Sequence, residues 1–248
     1  MSQKMLFPDR LSVVIMIDRR VYLVLADASL ETIPPSLWSD PIIRKHSKKK
    51  KKHPKYIILD SLYHGSAIVN SKLEDKEKRG RPDIVHQALL LAQDSELNNA
   101  GFLKVYIHTI RGNVIIVKQN VRPPRNYLRF IGLMEQLFEL GRVPPRGDPL
   151  ISISDKSIGD IINSLENRFV VGFSRRGRRI SSLKDFLSRI INGYKNLVIV
   201  IGAFPHGFFS EEILAIINDL IALSDRPLTT NYVLCRVISA LEEILISP

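Results

Sequence analysis

The sequence predicts an α/β fold with a largely parallel sheet, and two observations carry that prediction. Short apolar segments rich in β-branched residues recur without polar alternation, which is typical of strands covered on both faces. Segments with helical spacing of their apolar residues lie between them, and this alternation favours a parallel sheet flanked by helices. The length of 248 residues is that of one large domain, which we place at residues 1–248.

The elements follow one another in a regular order. The predicted strands are Val21–Ala26, Tyr56–Leu59, Leu103–Ile107, Val114–Val117, Phe169–Val171 and Leu197–Ile201. The predicted helices are Asp83–Asp94, Tyr127–Leu140, Lys156–Leu165, Ser182–Asn192 and Thr229–Ile246. The last helix has a wide apolar sector, which indicates a deep position in the core or a share in a subunit interface.

The composition excludes several classes of protein. A single cysteine, Cys235, excludes a disulfide framework and a paired-cysteine zinc site. None of the six histidines has a metal-ligand spacing, so we predict no metal. The apolar segment Leu11–Ala26 is interrupted by Asp18, Arg19 and Arg20, so we expect no membrane span and a soluble, intracellular protein.

Positive charge points to an anionic partner. The chain has 36 Lys and Arg against 25 Asp and Glu, a net charge of +11, and nucleic acid is the commonest partner of such a surface. The densest cluster, at about 44–55, contains Lys48–Lys52 and is predicted to be a flexible, solvated loop. That loop is either an arm that contacts phosphates or a plain insertion. Arg175–Arg179 is predicted to be a second charged loop and a nonspecific phosphate contact.

A third basic segment is more informative. Between Leu97 and Met134 the chain has no Asp or Glu, and Arg122, Arg125 and Arg129 surround the start of a predicted helix. Cations at a helix N-terminus oppose the helix dipole, so helix stability does not explain them. We interpret these arginines as phosphate contacts in preference to a solvated face.

Arg81 and Asp83 flank Pro82 at the start of another predicted helix. Proline in the first turn and an acidic residue beside it suit a helix N-terminus, which is a purely structural explanation. Alternatively the two side chains pair and hold the guanidinium toward a phosphate or a base. The spacing leaves both interpretations open.

The strand Leu197–Ile201 leads into a loop bounded by Gly202 and Gly207. Ligands of open α/β sheets bind beyond the carboxyl ends of the strands, and glycines let a ligand approach the backbone. The spacing is not that of a dinucleotide-binding or P-loop motif, so a tight turn is the alternative. A second polar loop, Leu223–Leu228, precedes the last helix. The sequence shows no known catalytic motif, and the catalytic residues are left open.

Several motifs occur in the order found in one family. They are Arg81–Gln87, Asn98–Gly101 leading into Val105–Thr109, Arg122–Arg125, Phe130–Met134, Val200–Gly207 and Pro227–Leu228. Together they resemble the Emg/Nep family of ribosome-biogenesis pseudouridine-N1 methyltransferases, in the SPOUT superfamily. The resemblance covers roughly Tyr22 to Ile246.

This resemblance implies a SPOUT fold, a mostly parallel sheet flanked by helices with a C-terminal trefoil knot, and a homodimer. It implies S-adenosylmethionine (SAM) as cofactor, with a small-subunit rRNA hairpin as substrate, methylated at ring N1 of a pseudouridine. Other ribosome-assembly proteins are further candidate partners. The residues it assigns to the cofactor are Gly202, Gly207, Leu223, Ser224, Asp225, Arg226, Pro227 and Leu228, with Phe173–Gly177 as a third wall. The residues it assigns to RNA are Arg81, Asp83, Arg122, Arg125 and Arg129.

Two departures and two alternatives accompany the resemblance. Arg226 stands where many relatives carry an aromatic residue, and the Lys48–Lys52 and Arg175–Arg179 clusters lie outside the family pattern. Asp225 is a candidate general base only by its nearness to the proposed cofactor loop. The alternatives are a non-catalytic rRNA-binding assembly factor and a SPOUT enzyme for another base or for tRNA. The combination of Arg81–Asp83 with Arg122–Arg125 argues against the latter.

Overall fold

The structure is a computed structural model that describes residues 19–119 and 121–246. The strands are β1 Arg20–Ala28, β2 Leu103–Thr109, β3 Val114–Val117, β4 Arg142–Val143, β5 Ile151–Ser154, β6 Arg168–Arg179, β7 Asn196–Gly202 and β8 Asp219–Ala222. The helices are α1 Pro41–Lys50, α2 Ser61–Val69, α3 Pro82–Asp94, α4 Glu96–Asn99, α5 Tyr127–Leu140, α6 Ile158–Asn163, α7 Leu183–Gly193, α8 Glu211–Ile216 and α9 Thr230–Leu245. Short 3-10 helices lie at Pro35–Leu37, Pro54–Tyr56 and Lys76–Lys78.

The eight strands form one sheet in the order β4-β5-β3-β2-β1-β7-β6-β8. The five strands from β2 to β8 in that order are parallel, whereas β3, β5 and β4 continue the sheet as antiparallel neighbours. The predicted α/β fold with a largely parallel sheet is therefore confirmed. The antiparallel extension, the short β8 and four of the helices, α1, α2, α4 and α8, were not predicted.

The central strands are apolar on both faces because helices cover both. Leu23 of β1 and Ile199 of β7 belong to the larger core cluster, while Val24 and Val200, one position further along each strand, belong to the second. Leu23 lies opposite Val105 of β2 as well as Ile199, so three adjacent strands present one continuous apolar surface. Removal of such surface from water is the main stabilising contribution to the fold.

The wide apolar sector of α9 is explained by its own chain. The helix packs against α3, α4, α7 and β7, and Leu234, Val237, Ile238, Leu241 and Leu245 are buried there. The structure therefore places these five residues in the core of the chain, and a share of the helix in a subunit interface stays a prediction.

The prediction of a loop at about 44–55 is wrong for its first half, which is helix α1. The Asp40 carboxylate accepts a hydrogen bond from the N–H of Ile42 at 2.8 Å, and Pro41 occupies the first turn. Repulsion among the lysines is offset by an acidic partner on α5, since Nζ of Lys50 lies 2.5 Å from Oε1 of the buried Glu135. Lys52 also pairs with this helix, at Glu139.

Two further predictions fail. Tyr56–Leu59 is not a strand of the sheet: Ile58 makes a lone bridge to Thr32, and Ile57 and Leu59 are buried in a separate cluster with α1 and α2. Arg175–Arg179 is not a loop, because β6 extends to Arg179. Its charged end is exposed beside the sheet edge, so charge density did not prevent strand pairing.

None of the helices within 19–119 and 121–246 is long and apolar enough to cross a lipid bilayer. The apolar segment singled out at Leu11–Ala26 lies partly outside the described residues, and from Arg20 onward it is β1.

His64 on α2 is a buried neutral histidine. Its Nδ1 accepts the N–H of Asp60 at 3.0 Å, and its Nε2 lies 2.7 Å from Nδ1 of His46. Burial is the main reason that the pKa of His64 falls to about 4, and the nearby His46 and Lys50 lower it further. The ring therefore stays neutral in the folded protein at pH values where it is protonated in the unfolded chain.

This difference predicts a pH-dependent stability. As pH falls from about 7 to about 5, the unfolded chain gains a proton that the folded protein does not, so the free energy of unfolding decreases by about 2 kcal/mol. Urea unfolding at several pH values measures this decrease. The variant His64→Gln should flatten the curve in this window. Equal slopes for the wild type and His64→Gln would contradict the assignment.

Candidate active site

A cleft of about 650 Å³ opens beyond the carboxyl ends of β6 and β7. Its volume lies in the range of small-molecule sites, about 300–1,000 Å³. Its walls come from four segments: the start of α3, the end of β6, the loop after β7, and the loop that leads into α9. Because β1, β6, β7 and β8 are parallel, their carboxyl ends meet at this one edge of the sheet.

The loop after β7 is anchored by a buried carboxylate. Asp27, near the end of β1, accepts hydrogen bonds from the N–H of Ser210 at 2.7 Å and from its Oγ at 2.8 Å. Burial raises the pKa of Asp27, but hydrogen bonds from His108 and Ser210 outweigh that effect and hold the pKa below its ordinary value. The other end of the loop is fixed as well, since the N–H of Ala203 donates to the Ala26 carbonyl at 2.9 Å.

The start of α9 is joined to this loop and to α3. The Thr230 hydroxyl donates to the Gly202 carbonyl at 2.7 Å, and Nδ2 of Asn231 donates to Oε1 of Gln87 at 2.7 Å. The chain thus brings together three segments that are far apart in sequence. Gly202, Asn231 and Gln87 all line the cleft.

Both predicted glycines are required by the packing of the loop itself. A Cβ at Gly202 would lie 2.8 Å from the Phe204 ring, and one at Gly207 would lie 2.9 Å from Cε of Lys78. Gly207 also has a φ of +121°, which other residues rarely adopt. The tight-turn interpretation therefore holds, and the turn it describes is one wall of the cleft.

The structure divides the residues that the resemblance assigned to the cofactor. Gly202, Gly207, Pro227 and Leu228 line the cleft. The third wall expected at Phe173–Gly177 is present through Phe173, Ser174 and Arg175, although it is the end of a strand.

Four of the six residues of the second loop, Leu223–Arg226, lie away from the cleft. Leu223 packs against the main core, and Oγ of Ser224 accepts the N–H of Arg226 at 3.1 Å. The Asp225 side chain is 87% exposed and pairs with Arg179 at 3.3 Å. The nearness that made Asp225 a candidate base is therefore not found.

Arg81 and Asp83 form a two-pronged ion pair at the edge of the cleft. Nε and Nη2 of Arg81 donate to the two carboxylate oxygens of Asp83, each at 2.8 Å. Pro82 is meanwhile the first residue of α3, so the helix-start explanation holds and the two side chains also pair, while a contact of the guanidinium with a phosphate or a base stays a prediction. The carboxylate fixes the plane of the guanidinium, and both residues line the cleft.

The arginines before and within α5 are exposed. The Arg125 side chain pairs with Asp94 at 2.9 Å, whereas the guanidinium groups of Arg122 and Arg129 have no protein partner within the described part of the chain. The backbone here is fixed: Asn126 caps α5 through the N–H of Arg129. Two cations on a fixed backbone, without an acidic partner, are available to an external anion.

His86 holds the Pro-Pro segment that precedes α5. Its Nε2 lies 2.7 Å from the Pro124 carbonyl, which can only accept, so this nitrogen carries the proton. Its ring stacks on Phe130 with 4.5 Å between the ring centroids.

Sequence reasoning did not single out Asp27, Ser210, Gln87 or Asn231. Ser210 carried a usable signal, because a serine followed by two glutamates is typical of a helix start, and it does cap α8. The positive φ of Asp27 and the pairing of Gln87 with Asn231 have no local sequence signature.

A profile of the EMG1/NEP1 methyltransferase family matches residues 23–242. The chain belongs to the EMG1/NEP1 methyltransferase family. The ribosomal RNA small subunit methyltransferase Nep1 of Staphylothermus marinus is 39% identical over 225 residues, which cover 90% of this chain and 96% of that relative. The Nep1 of Thermococcus onnurineus is 42% identical over 193 residues, covering 78% and 86%.

A solved structure of the EMG1/NEP1 family is also similar. Archaeoglobus fulgidus Nep1 bound to S-adenosylhomocysteine aligns with a TM-score of 0.79 at 37% identity, covering 91% of this chain and 98% of that one. The family predicted from the ordered motifs is therefore confirmed, and S-adenosylhomocysteine, the product left when SAM loses its methyl group, supports the predicted cofactor. The trefoil knot stays a prediction.

The cleft fits a ligand of this kind. Oδ1 of Asn231 is buried without a hydrogen-bond partner among the described residues, and it lines the cleft. The backbone N–H groups of Gly207 and Phe208 make no backbone hydrogen bond among the described residues, and Gly207 is exposed to solvent. A ligand with donors and acceptors satisfies such groups, and Ile201 and Leu228 supply apolar surface for a ring. The described residues contain no group of three side chains able to hold a metal ion.

The clash at Gly202 predicts the effect of a single methyl group on cofactor binding. In Gly202→Ala the new Cβ displaces Phe204 or the loop, at a cost of about 1–3 kcal/mol. We expect the dissociation constant for S-adenosylhomocysteine, measured by calorimetry, to rise about 10-fold while RNA binding is retained. Gly65→Ala is the control, because a Cβ there has no neighbour within 4 Å. Wild-type affinity in Gly202→Ala would contradict the role of this loop.

Proposed function

We propose that the chain is a SAM-dependent methyltransferase that modifies ring N1 of a pseudouridine in a small-subunit rRNA hairpin loop, during small-subunit biogenesis. The observation that carries the proposal is the cleft itself, where the Arg81–Asp83 pair meets the loop bounded by Gly202 and Gly207. The names of the relatives support the coarser part, methylation of small-subunit rRNA. The choice of base rests on the family resemblance.

When bound, SAM supplies an electrophilic methyl group. The chain's own contribution is to hold the reacting groups in line, and effective molarities from such positioning are large. Asp27 with Ser210, and Thr230 with Gly202, fix the two loops before any ligand arrives. Their rigidity limits how far the loops must rearrange on binding.

Methylation at N1 also requires loss of the N1 proton. Of the described side chains that line the cleft, Asp83 and His206 are the ones that accept protons. Asp83 is occupied by Arg81, and His206 is exposed at the mouth, in contact with solvent. Neither residue is assigned as general base. Loss of the N1 proton to solvent at the mouth of the cleft is compatible with this arrangement.

The positive surface suits a folded RNA with an exposed loop. Arg122 and Arg129 neutralise phosphates and thus position the RNA, whereas the cleft reads the base. A base in a hairpin loop is already partly unstacked, so bringing it into the cleft costs little. Arg81, held by Asp83, supplies a further cation at the cleft itself.

The second candidate function is a non-catalytic rRNA-binding assembly factor. It explains the arginines but gives no reason for a buried, unpartnered acceptor at Asn231 inside a cleft. That atom favours the enzyme.

The reaction is tested with two synthetic hairpins that differ at one loop position, uridine in one and pseudouridine in the other. With labelled SAM, we expect a methyl group only on the pseudouridine hairpin, located at ring N1 by mass spectrometry. Transfer to the uridine hairpin as well would contradict the base specificity. Tight binding of both hairpins and of SAM without any transfer would instead support the assembly factor.

We also propose a homodimer in the cytoplasm, in line with the family resemblance. The exposed Tyr232, 48% accessible and next in sequence to the cleft residue Asn231, places apolar surface beside the cleft that a second copy would cover. Light scattering should give twice the chain mass of 28.2 kDa. Tyr232→Asp should lower that mass, whereas a wild-type mass of one chain at all concentrations would contradict the dimer.

A further inference from the structure

The end of β6 departs from regular pairing beside the cleft. Phe173 and Arg178 both lie opposite Ile221 of β8, so residues 174–177 form a bulge between them. Gly177 sits so close to β8 that a Cβ there would be 2.5 Å from the carbonyl group of Leu220. Bulges redirect side chains, and this one is seated firmly on the neighbouring strand.

Three of the four arginines in the cluster are used to hold this bulge. Arg176 lies 4.3 Å from the centroid of the Phe208 ring. Arg178 donates through Nε to both carboxylate oxygens of Asp219, at 3.1 and 3.2 Å. Arg179 pairs with Asp225 in the loop after β8. Their contacts account for them within the protein.

The fourth, Arg175, differs in all these respects. It lines the cleft, it is exposed, and it has no partner within the described part of the chain. The other fully charged side chains of the described cleft lining are Arg81 and Asp83, which neutralise each other. Arg175 is therefore the uncompensated charge of the described cleft lining, and contacts of the three neighbouring arginines hold the bulge that carries it.

We propose that Arg175 binds a phosphate of the target nucleotide, from a different wall of the cleft than Arg81. The inference rests on the proposed function and adds a contact beyond the arginines assigned by family resemblance. The carboxylate of SAM is the other anion within reach of the cleft. Exposure favours the phosphate, because Arg175 is open to solvent whereas Ile201 and Phe209 form a buried part of the lining.

The test compares Arg175→Gln with Arg189→Gln, which makes the same charge change on α7, outside the cleft lining. Loss of a charge-assisted hydrogen bond should weaken binding of the pseudouridine hairpin about 10-fold. The slope of log affinity against log salt should become shallower by about 0.7–0.9, as for one phosphate contact. Affinity for S-adenosylhomocysteine should not change, and Arg189→Gln should behave as wild type.

Two results would overturn the inference. Weaker binding of S-adenosylhomocysteine with an unchanged RNA salt slope would assign Arg175 to the cofactor carboxylate. Unchanged binding of both ligands would make it a solvated arginine. Failure of the proposed function gives a different result. If the wild type transfers no methyl group but Arg175→Gln still reduces the salt slope, the proposed reaction is wrong and the phosphate contact stands.

Discussion

Asp27 is a buried carboxylate with a φ of 48°, close to the end of the central strand, and the walls of the cleft depend on it. A charge that is 3% exposed is tolerated only when hydrogen bonds satisfy it, and Ser210 supplies two of them. Those bonds fix the far end of the loop after β7. The near end is fixed by β7 itself, whose last residue, Gly202, accepts the hydroxyl of Thr230 and so sets the start of α9.

The arrangement of the sheet explains why Asp27 affects several walls of the cleft. Strands β1, β7 and β6 are adjacent and parallel, so the segments that follow them emerge side by side. A contact that fixes two of these segments also restricts the positions that the third can take, because the three lie side by side. The antiparallel strands β3, β5 and β4 lie at the other edge of the sheet, away from the cleft, and β3 also joins both core clusters.

The structure agrees with the sequence patterns where short-range interactions decide the outcome. Helix α5 has the predicted bounds because Asn126 caps its start and Gly141 ends it in a left-handed conformation. The sequence patterns mislead where a distant residue decides the structure. The composition of Lys48–Lys52 predicts a self-repelling loop, but Glu135, on another helix, offsets the repulsion. The pairing of Arg81 with Asp83 was foreseen as one of two interpretations because both residues are local.

The cleft was foreseen in part for the same reason. A strand that runs into a glycine loop is a local signal, and Gly202 and Gly207 are at the site. Asp225 was chosen by sequence distance alone, and the fold directs its side chain toward Arg179 instead. Asn231 lines the cleft with its amide held by Gln87 of α3, and the sequence of a single segment does not reveal this pairing.

The two-pronged pair at Arg81 has a thermodynamic consequence. Its carboxylate partner occupies one edge of the guanidinium, through Nε and Nη2, and leaves the Nη1 edge with its donors directed away from Asp83. A long side chain of this kind loses about 2 kcal/mol of rotamer entropy when it is immobilised. Here the rotamer entropy is lost when the protein folds, so binding of a ligand to Arg81 does not require a second loss. The residue behaves as part of the rigid surface, although 44% of its side chain is exposed to water.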